Sequence, residues 1–306
     1  MILNIIMNVN QNFKTDRLSS EVDAQGSGML QQLKLVPLVP TSRTQDTISL
    51  ARAATASPGT RNGPWSPPAP RMREYILAVK AIWNTWKTGE KLDFQGEHYT
   101  HTLMTPMFTP PPMDCDVPPI YVSGLGPGMA RIAGEVADGL LLHPMCSPKY
   151  INDIILPAVA EGAKRSNRDP RECELLWGGF IATGETEEDL KTAKRNVAAR
   201  ISFYASTRTY RPALEFHGWG DINEALHKLS IEGKWEEMFA LVTDDMVETL
   251  GFCGTGVEVA NALKNNLGPI CSAAMWNEVE HLGTDHSKDE HVAMFRAIVS
   301  AIAAEG

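Results

Sequence analysis

Between Pro119 and His143, PIYVSGLGPGMARIAGEVADGLLLH, the spacing of apolar positions changes character twice within one short run. Ile120, Tyr121 and Val122 make a compact β-rich cluster, and the small residues Ser123-Gly124-Leu125-Gly126-Pro127-Gly128 that follow have no periodicity. Met129, Ile132, Ala133 and Val136 then recur at the spacing of one helix face, until Asp138-Gly139 stops the helix before the apolar run Leu140–Leu142. Strand, turn, helix and strand in that order predict a βαβ unit.

The same reading extends along the chain. Arg73 to Thr88 is predicted helical, with Ile76, Val79, Ile82, Trp83 and Trp86 on its inner side and Gly89 as its stop. The two indoles recur at helical spacing and read as core. Leu92 to Pro119 is a long irregular excursion whose Pro110-Pro111-Pro112 cannot be helix. Tyr150 to Ser166 is predicted helical, with Ile151, Ile154, Ile155, Val159 and Ala163 inward, and Glu174 to Thr183 is predicted as one strand. Thr186-Glu187-Glu188-Asp189 places acids where the dipole favours them and opens a helix running to about Tyr204. Short helices fill Arg208 to Leu250. Gly254-Thr255-Gly256 leads into a helix over Val257–Asn266, a last strand lies near Ile270–Trp276, and Ser287 caps a terminal helix ending near Glu305. Alternating strands and helices predict an α/β fold with a parallel sheet.

Composition narrows the classes. A chain of 306 residues with 43% hydrophobic and 21% charged content can bury a large core. Its formal charge of −9 leaves no basic stripe for a phosphate backbone, so no nucleic-acid partner is expected. No run approaches the roughly 20 apolar residues that span a bilayer, so no membrane partner is expected either. The apolar opening Met1–Met7 lacks a basic start and does not read as a secretion signal. The five cysteines, Cys115, Cys146, Cys173, Cys253 and Cys271, are odd in number and form no CxxC pair, which suits reduced thiols in the cytoplasm.

Two places carry candidate chemistry. A helix beginning directly after Ser123, Gly124, Leu125, Gly126 and Pro127 offers backbone N–H groups and the positive end of a dipole to an anion such as a phosphate; a plain glycine turn is the alternative. His143 stands at the C-terminal end of a predicted strand, where it can donate a hydrogen bond or transfer a proton; a histidine satisfied by neighbouring backbone is the alternative. His217, beside Gly218 and Trp219, is a second, weaker histidine candidate on a loop, and Arg208 can pair with an acidic cofactor tail or simply stabilise the helical insertion. His281, His286 and His291 have no metal-ligand spacing and there is no HExxH pair, so no metal is predicted. Neither a GxSxG elbow nor a GxxxxGKS loop is present, which removes the main support for a hydrolase or a nucleotide phosphatase.

Ser123-Gly124-Leu125-Gly126-Pro127 followed by Ala133-Gly134-Glu135-Val136-Ala137-Asp138-Gly139 resembles the corresponding strand and helix of the luciferase-like flavin and deazaflavin oxidoreductases. Pro64–Tyr75, Ala81-Ile82-Trp83, Gly96-Glu97-His98-Tyr99, Thr102-Leu103-Met104, Phe203–Arg208 and His217-Gly218-Trp219 are similar to the branch that uses coenzyme F420, and they occur in family order over about residues 63–306. The resemblance implies a TIM (β/α)8 barrel of the bacterial-luciferase type that moves a hydride between F420 and a small organic substrate. FMN in a monooxygenase is the alternative within the enzymes. It implies a cofactor phosphate at Ser123, Gly124, Leu125, Gly126 and Pro127, and a substrate entrance near His98, Tyr99 and Met104, for which a structural loop is the alternative; in a barrel, His143 stands at the strand end where reactive groups gather and is the catalytic candidate.

The resemblance also implies four βα units ahead of Pro64, whereas residues 1–62 have room for two. Lys14–Gly26 and Thr41–Ala54 are the candidate remnants, Ser57–Pro70 reads as linker, and Leu33–Val39 is a candidate edge strand. The expected organisation is an atypical, poorly ordered segment over 1–62, then the C-terminal part of a barrel over 63–306 with a helical insertion at about 208–250. A barrel lacking its first strands exposes a sheet edge, so self-association is expected. A truncated reading frame would produce such a chain. The reading of a different class is therefore a non-catalytic remnant that acts at most as a binding or interaction protein.

Overall fold

A computed structural model describes residues 4–8, 67–107, 109–111, 117–277, 296 and 298–302. Its elements in chain order are β1 (Asn4–Asn8), α1 (Pro68–Thr88), β2 (Phe94–Gln95), β3 (Thr100–His101), β4 (Tyr121–Gly124), α2 (Pro127–Val136) and β5 (Gly139–Leu142). Helix α3 opens at Pro148–Tyr150, widens into a π turn over Ile151–Ile155 and continues at Leu156–Arg165. Then come β6 (Glu174–Trp177), β7 (Phe180–Thr183), α4 (Glu187–Ala205), α5 (Arg211–Phe216), α6 (Gly220–Glu232), α7 (Trp235–Phe239) and α8 (Asp244–Leu250). Strand β8 (Gly251–Gly254), α9 (Gly256–Leu267) and β9 (Ala273–Asn277) follow. The segments Lys14–Gly26, Leu33–Val39 and Thr41–Ala54, Cys115, and the cap at Ser287 lie outside the described residues.

The chain divides into two compact units: Pro40–Leu140 with Ile154–Glu174, and Met1–Val39 with Leu141–Asp153 and Leu175–Gly306. In the former, the Asp138-Gly139 pair does two structural jobs. The Asp138 carboxylate accepts the backbone N–H of Ile120 at 2.7 Å, and its own N–H returns to Ile120 O at 2.9 Å, which fixes the start of β5 beside β4. Gly139 has to lack a side chain, since a Cβ there would stand 2.2 Å from the Tyr121 ring. Glu174 then joins on the far side, with its N–H donated to Asp138 O at 3.0 Å, so β4, β5 and β6 are neighbours in that order. Tyr121 donates its hydroxyl to the Glu174 carboxylate.

Helices α2 and α3 touch through their backbones. A Cβ on Gly134 would lie 2.1 Å from Val159 O, and one on Gly162 would lie 1.9 Å from Arg131 O. Arg168 closes the end of α2 by donating to Ala137 O (2.8 Å) and Gly134 O (3.3 Å), a cation placed on orphan carbonyls at the negative end of the dipole. Between α1 and α2, Arg73 Nε stands 2.6 Å from the buried Glu135 carboxylate.

In the other unit, β9 lies between β6 and β1. It runs parallel to β6 (Leu176 opposite Ala273) and antiparallel to β1 (Asn4 opposite Asn277 through Asn8 opposite Ala273). The apolar opening of the chain thus supplies a strand that covers one edge of β9. Strands β7 and β8 pair in parallel, Phe180 opposite Gly251. The single strand expected over Glu174–Thr183 is two strands: the Trp177 indole folds over Gly179, where a Cβ would be 2.0 Å from the ring, and the direction changes at Gly178-Gly179. Helix α4 starts on a capping box in which Thr186 and Asp189 satisfy each other's backbone N–H groups. Helices α5 to α8 occupy 211–250, and the core of this unit includes the fully buried Trp177, Phe180, Ile201, Leu214, Leu226 and Met238.

Candidate functional site

Strand β4 ends at Gly124 and α2 begins at Pro127, with Gly126 as its N-cap in extended backbone (φ −94°, ψ 162°). Pro127 has no N–H to give, and no side chain among the described residues caps this end, so the N–H groups of Gly128 and Met129 keep their donor capacity. The other helices that follow strand ends are closed by their own side chains. At α3, Ser147 accepts from Tyr150 N at 3.0 Å. Thr186 and Thr255 sit in capping boxes with Asp189 and Glu258. At α9 the Glu258 carboxylate accepts from both Thr255 N (2.8 Å) and Thr255 Oγ1 (3.0 Å), so a negative charge already fills that N-terminus.

The glycines of the turn have different tasks. A Cβ at Gly124 would meet Met129 Cβ at 2.6 Å, so this residue lets strand and helix approach. A Cβ at Gly126 would have no heavy atom within 4 Å, so the space in front of the free N–H groups is open. Ser123 and Leu125 are part-buried and Pro127 is exposed. An uncapped helix start with open space and no carboxylate in the turn fits a phosphate.

His143 follows β5 directly. Its Nδ1 accepts the backbone N–H of Met145 at 3.2 Å, and its carbonyl accepts Cys146 N at 2.9 Å, so the ring belongs to a tight turn. Tyr210 stacks on it at 4.5 Å between centroids, and Tyr204 meets it edge-on at 4.8 Å. Burial pushes the His143 pKa down to about 4, which leaves the ring neutral across the physiological range. The two tyrosines were not singled out by sequence; the signal was the aromatic pair Phe203-Tyr204 followed by Tyr210 in a polar stretch.

His217 is placed behind the same loop. Its Nε2 lies 3.0 Å from Ser147 Oγ, Trp219 stacks on it at 4.7 Å, and burial followed by the nearby Lys149 charge lowers its pKa. It holds Ser147, the N-cap of α3, and so reads as a loop anchor. Arg208 opens an exposed turn at Arg208–Tyr210. A cleft of about 570 Å³ is lined by Ser147, Lys149, Asn152, Thr249 and Asn265 among others.

The entrance residues read from the resemblance form a braced hairpin. The Glu74 carboxylate accepts the backbone N–H groups of Glu97 (3.0 Å), His98 (2.6 Å) and Tyr99. Burial raises its pKa, but these three donors outweigh that and hold it below the usual carboxylate value. Arg71 Nε donates to Tyr99 Oη at 3.2 Å, and Trp86 Nε1 to Met104 Sδ at 3.4 Å. No group of three or more His, Cys, Asp or Glu suited to a metal occurs among the described residues. The described cysteines are free thiols; burial raises the thiol pKa of Cys146 and Cys271 to about 12 and that of Cys173 and Cys253 to about 11, which favours the neutral thiol over the thiolate.

The family model described as luciferase-like monooxygenase matches residues 48–268. The chain belongs to that family. An uncharacterized protein of Mycobacterium tuberculosis is 44% identical over 202 residues, 66% of this chain and 59% of that protein. The 5,10-methylenetetrahydromethanopterin reductase of Methanolobus tindarius is 29% identical over 196 residues, 62% of this chain and 55% of that protein. The F420-dependent glucose-6-phosphate dehydrogenase 2 of Rhodococcus jostii is 34% identical over 99 residues, 32% of this chain and 27% of that protein. The chain thus spans about 59% of the length of the mycobacterial relative. Among solved structures, the F420-dependent tetrahydromethanopterin reductase of Methanopyrus kandleri superposes with a TM-score of 0.53 at 20% identity, over 75% of this chain and 61% of that one. An F420-dependent secondary alcohol dehydrogenase gives 0.52 at 17% identity, over 82% and 68%. The fold is therefore the α/β barrel type of the luciferase-like family, here built on the strands and helices described above.

Proposed function

We propose that this luciferase-like protein is an F420-linked oxidoreductase acting on a small organic substrate, with the cofactor phosphate held at Ser123, Gly124, Leu125, Gly126 and Pro127. The observation that carries the reading is the uncapped N-terminus of α2, with free N–H groups at Gly128 and Met129 and open space at Gly126. The naming of several family relatives and structural neighbours for F420 supports F420 over FMN. Bound there, the deazaflavin supplies the hydride chemistry, and the protein supplies position and electrostatics. His143, at the C-terminal end of β5 where barrel enzymes gather their reactive groups, is the candidate catalytic residue. Unpaired thiols at Cys146, Cys173, Cys253 and Cys271 suit a cytoplasmic setting. Among the described residues no helix is long and apolar enough to cross a membrane. The test is a titration of the purified chain with F420 and, separately, FMN, with Gly126→Asp as the variant. Tighter binding of FMN than of F420 would reverse the cofactor assignment.

A further inference from the structure

His143 carries more information than its place at a strand end. The Met145 N–H points at Nδ1 from 3.2 Å, and a backbone N–H can only donate, so Nδ1 carries no proton and the neutral ring carries its proton on Nε2. The turn that makes this bond is itself locked: Met145 and Cys146 are fully buried, and Cys146 N closes on His143 O at 2.9 Å. Tyr210 stacked on the ring and Tyr204 packed perpendicular to it hold the plane of the imidazole. Nε2 has no hydrogen-bond partner among the described residues. Nor is it sealed in: among the described residues the fully buried side-chain nitrogens without a hydrogen bond are Trp177 Nε1 and Arg131 Nε, the latter ion-paired with Glu161 at 2.8 Å. Among the described residues the Nε2–H is thus left over for a ligand.

We propose that His143 serves its ligand as an Nε2–H donor, recognising an acceptor atom such as a carbonyl oxygen or an unprotonated ring nitrogen, and that it neither takes nor gives a proton in the reaction. The proposal rests on the reading that a ligand occupies the C-terminal end of β5, and it fixes what part of that ligand His143 meets. The groups packed on the ring agree with it. Burial raises the pKa of Tyr210 and so holds it neutral, and burial is the one cause that shifts His143 itself. No charged side chain among the described residues favours the imidazolium.

The ring's state is read without any ligand by nitrogen-detected NMR of the full chain labelled at histidine, between pH 8 and pH 5.5. The expected result is one His143 spectrum with a bare Nδ1 and a protonated Nε2, unchanged across the range. A protonated Nδ1, or a midpoint above about pH 6, overturns the proposal. F420 is then titrated into the wild type, His143→Gln and His143→Ala, with the thermal midpoint confirming that each is folded. Glutamine places an amide N–H near Nε2, so His143→Gln keeps affinity within about threefold, while His143→Ala loses about tenfold, the size of one hydrogen bond. The Nε2–H resonance shifts on F420 addition. Binding that leaves that resonance in place and all three affinities equal overturns the role. If neither F420 nor FMN binds, the proposed function fails and this use of His143 with it, while the NMR result still decides the state of the ring.

Discussion

Arg73 holds the carboxylate of Glu135 at 2.6 Å, and the two partners are unequally placed: Glu135 is 7% exposed and Arg73 is 44% exposed. Removing the arginine leaves a buried charge without its partner, whereas removing the glutamate leaves a cation that water can solvate. Arg73→Ala is expected to cost about 1–3 kcal/mol, below the range for a fully buried pair because Arg73 is partly hydrated. Glu135→Gln is expected to cost less. Urea denaturation of the two variants checks the order, and a larger loss from Glu135→Gln would contradict it.

Where α2 crosses α3, Gly162 brings its Cα against the Arg131 carbonyl, and a methyl there would have to sit 1.9 Å from oxygen. Backbone cannot yield as a flexible side chain can. Gly162→Ala is expected to destabilise by on the order of 2 kcal/mol even though alanine is the better helix former. Equal or higher stability would show that the helices separate freely.

The depressed pKa of His143 sets a pH dependence of stability. An unfolded histidine titrates near 6.5 and the folded one near 4, so between these values the unfolded chain binds a proton that the native state refuses. The native state is then favoured above pH 6.5 and loses up to about 3 kcal/mol from this group as pH falls toward 4. His143→Gln removes that component, so its denaturation free energy falls less between pH 7 and pH 4.5 than the wild type's. Parallel curves for the two proteins would contradict the assignment.

The run Pro119–His143 was legible because each of its elements has a local cause. Glycines mark the turn, the 3.6-residue spacing marks α2, and Asp138-Gly139 marks the stop; the acidic run Glu187-Glu188-Asp189 announced α4 in the same way. Strand β8 was not legible, since Gly251-Phe252-Cys253-Gly254 has neither alternation nor length and is a strand only because Phe180–Thr183 offers it a partner. The break between β6 and β7 depends on where the Trp177 indole packs, which no spacing encodes. Sequence put His143 at a strand end, but the Met145 bond and the two tyrosines that define its state come from residues up to 67 positions away in the chain.

Strand β1 lies antiparallel along β9 and satisfies backbone groups on an edge that would otherwise be open. Deleting residues 1–8 is expected to increase self-association, because an unpaired strand edge is a template for another chain. Light scattering of the deleted and full chains at matched concentration checks it. Identical masses would mean that other residues cover β9.

The open N-terminus of α2 is the centre of the account, and Gly126→Asp tests it most directly. The position has extended backbone and empty space, so an aspartate fits there, and as an N-cap it leaves stability unchanged or raises it by a few tenths of a kcal/mol. Its carboxylate takes the place of the phosphate and repels it. Titrating F420 by its fluorescence into both proteins should show saturable binding by the wild type and a loss on the order of a hundredfold or more in the variant, with no loss of thermal stability. Equal affinity in a folded Gly126→Asp protein would remove this turn from the cofactor site and contradict the account.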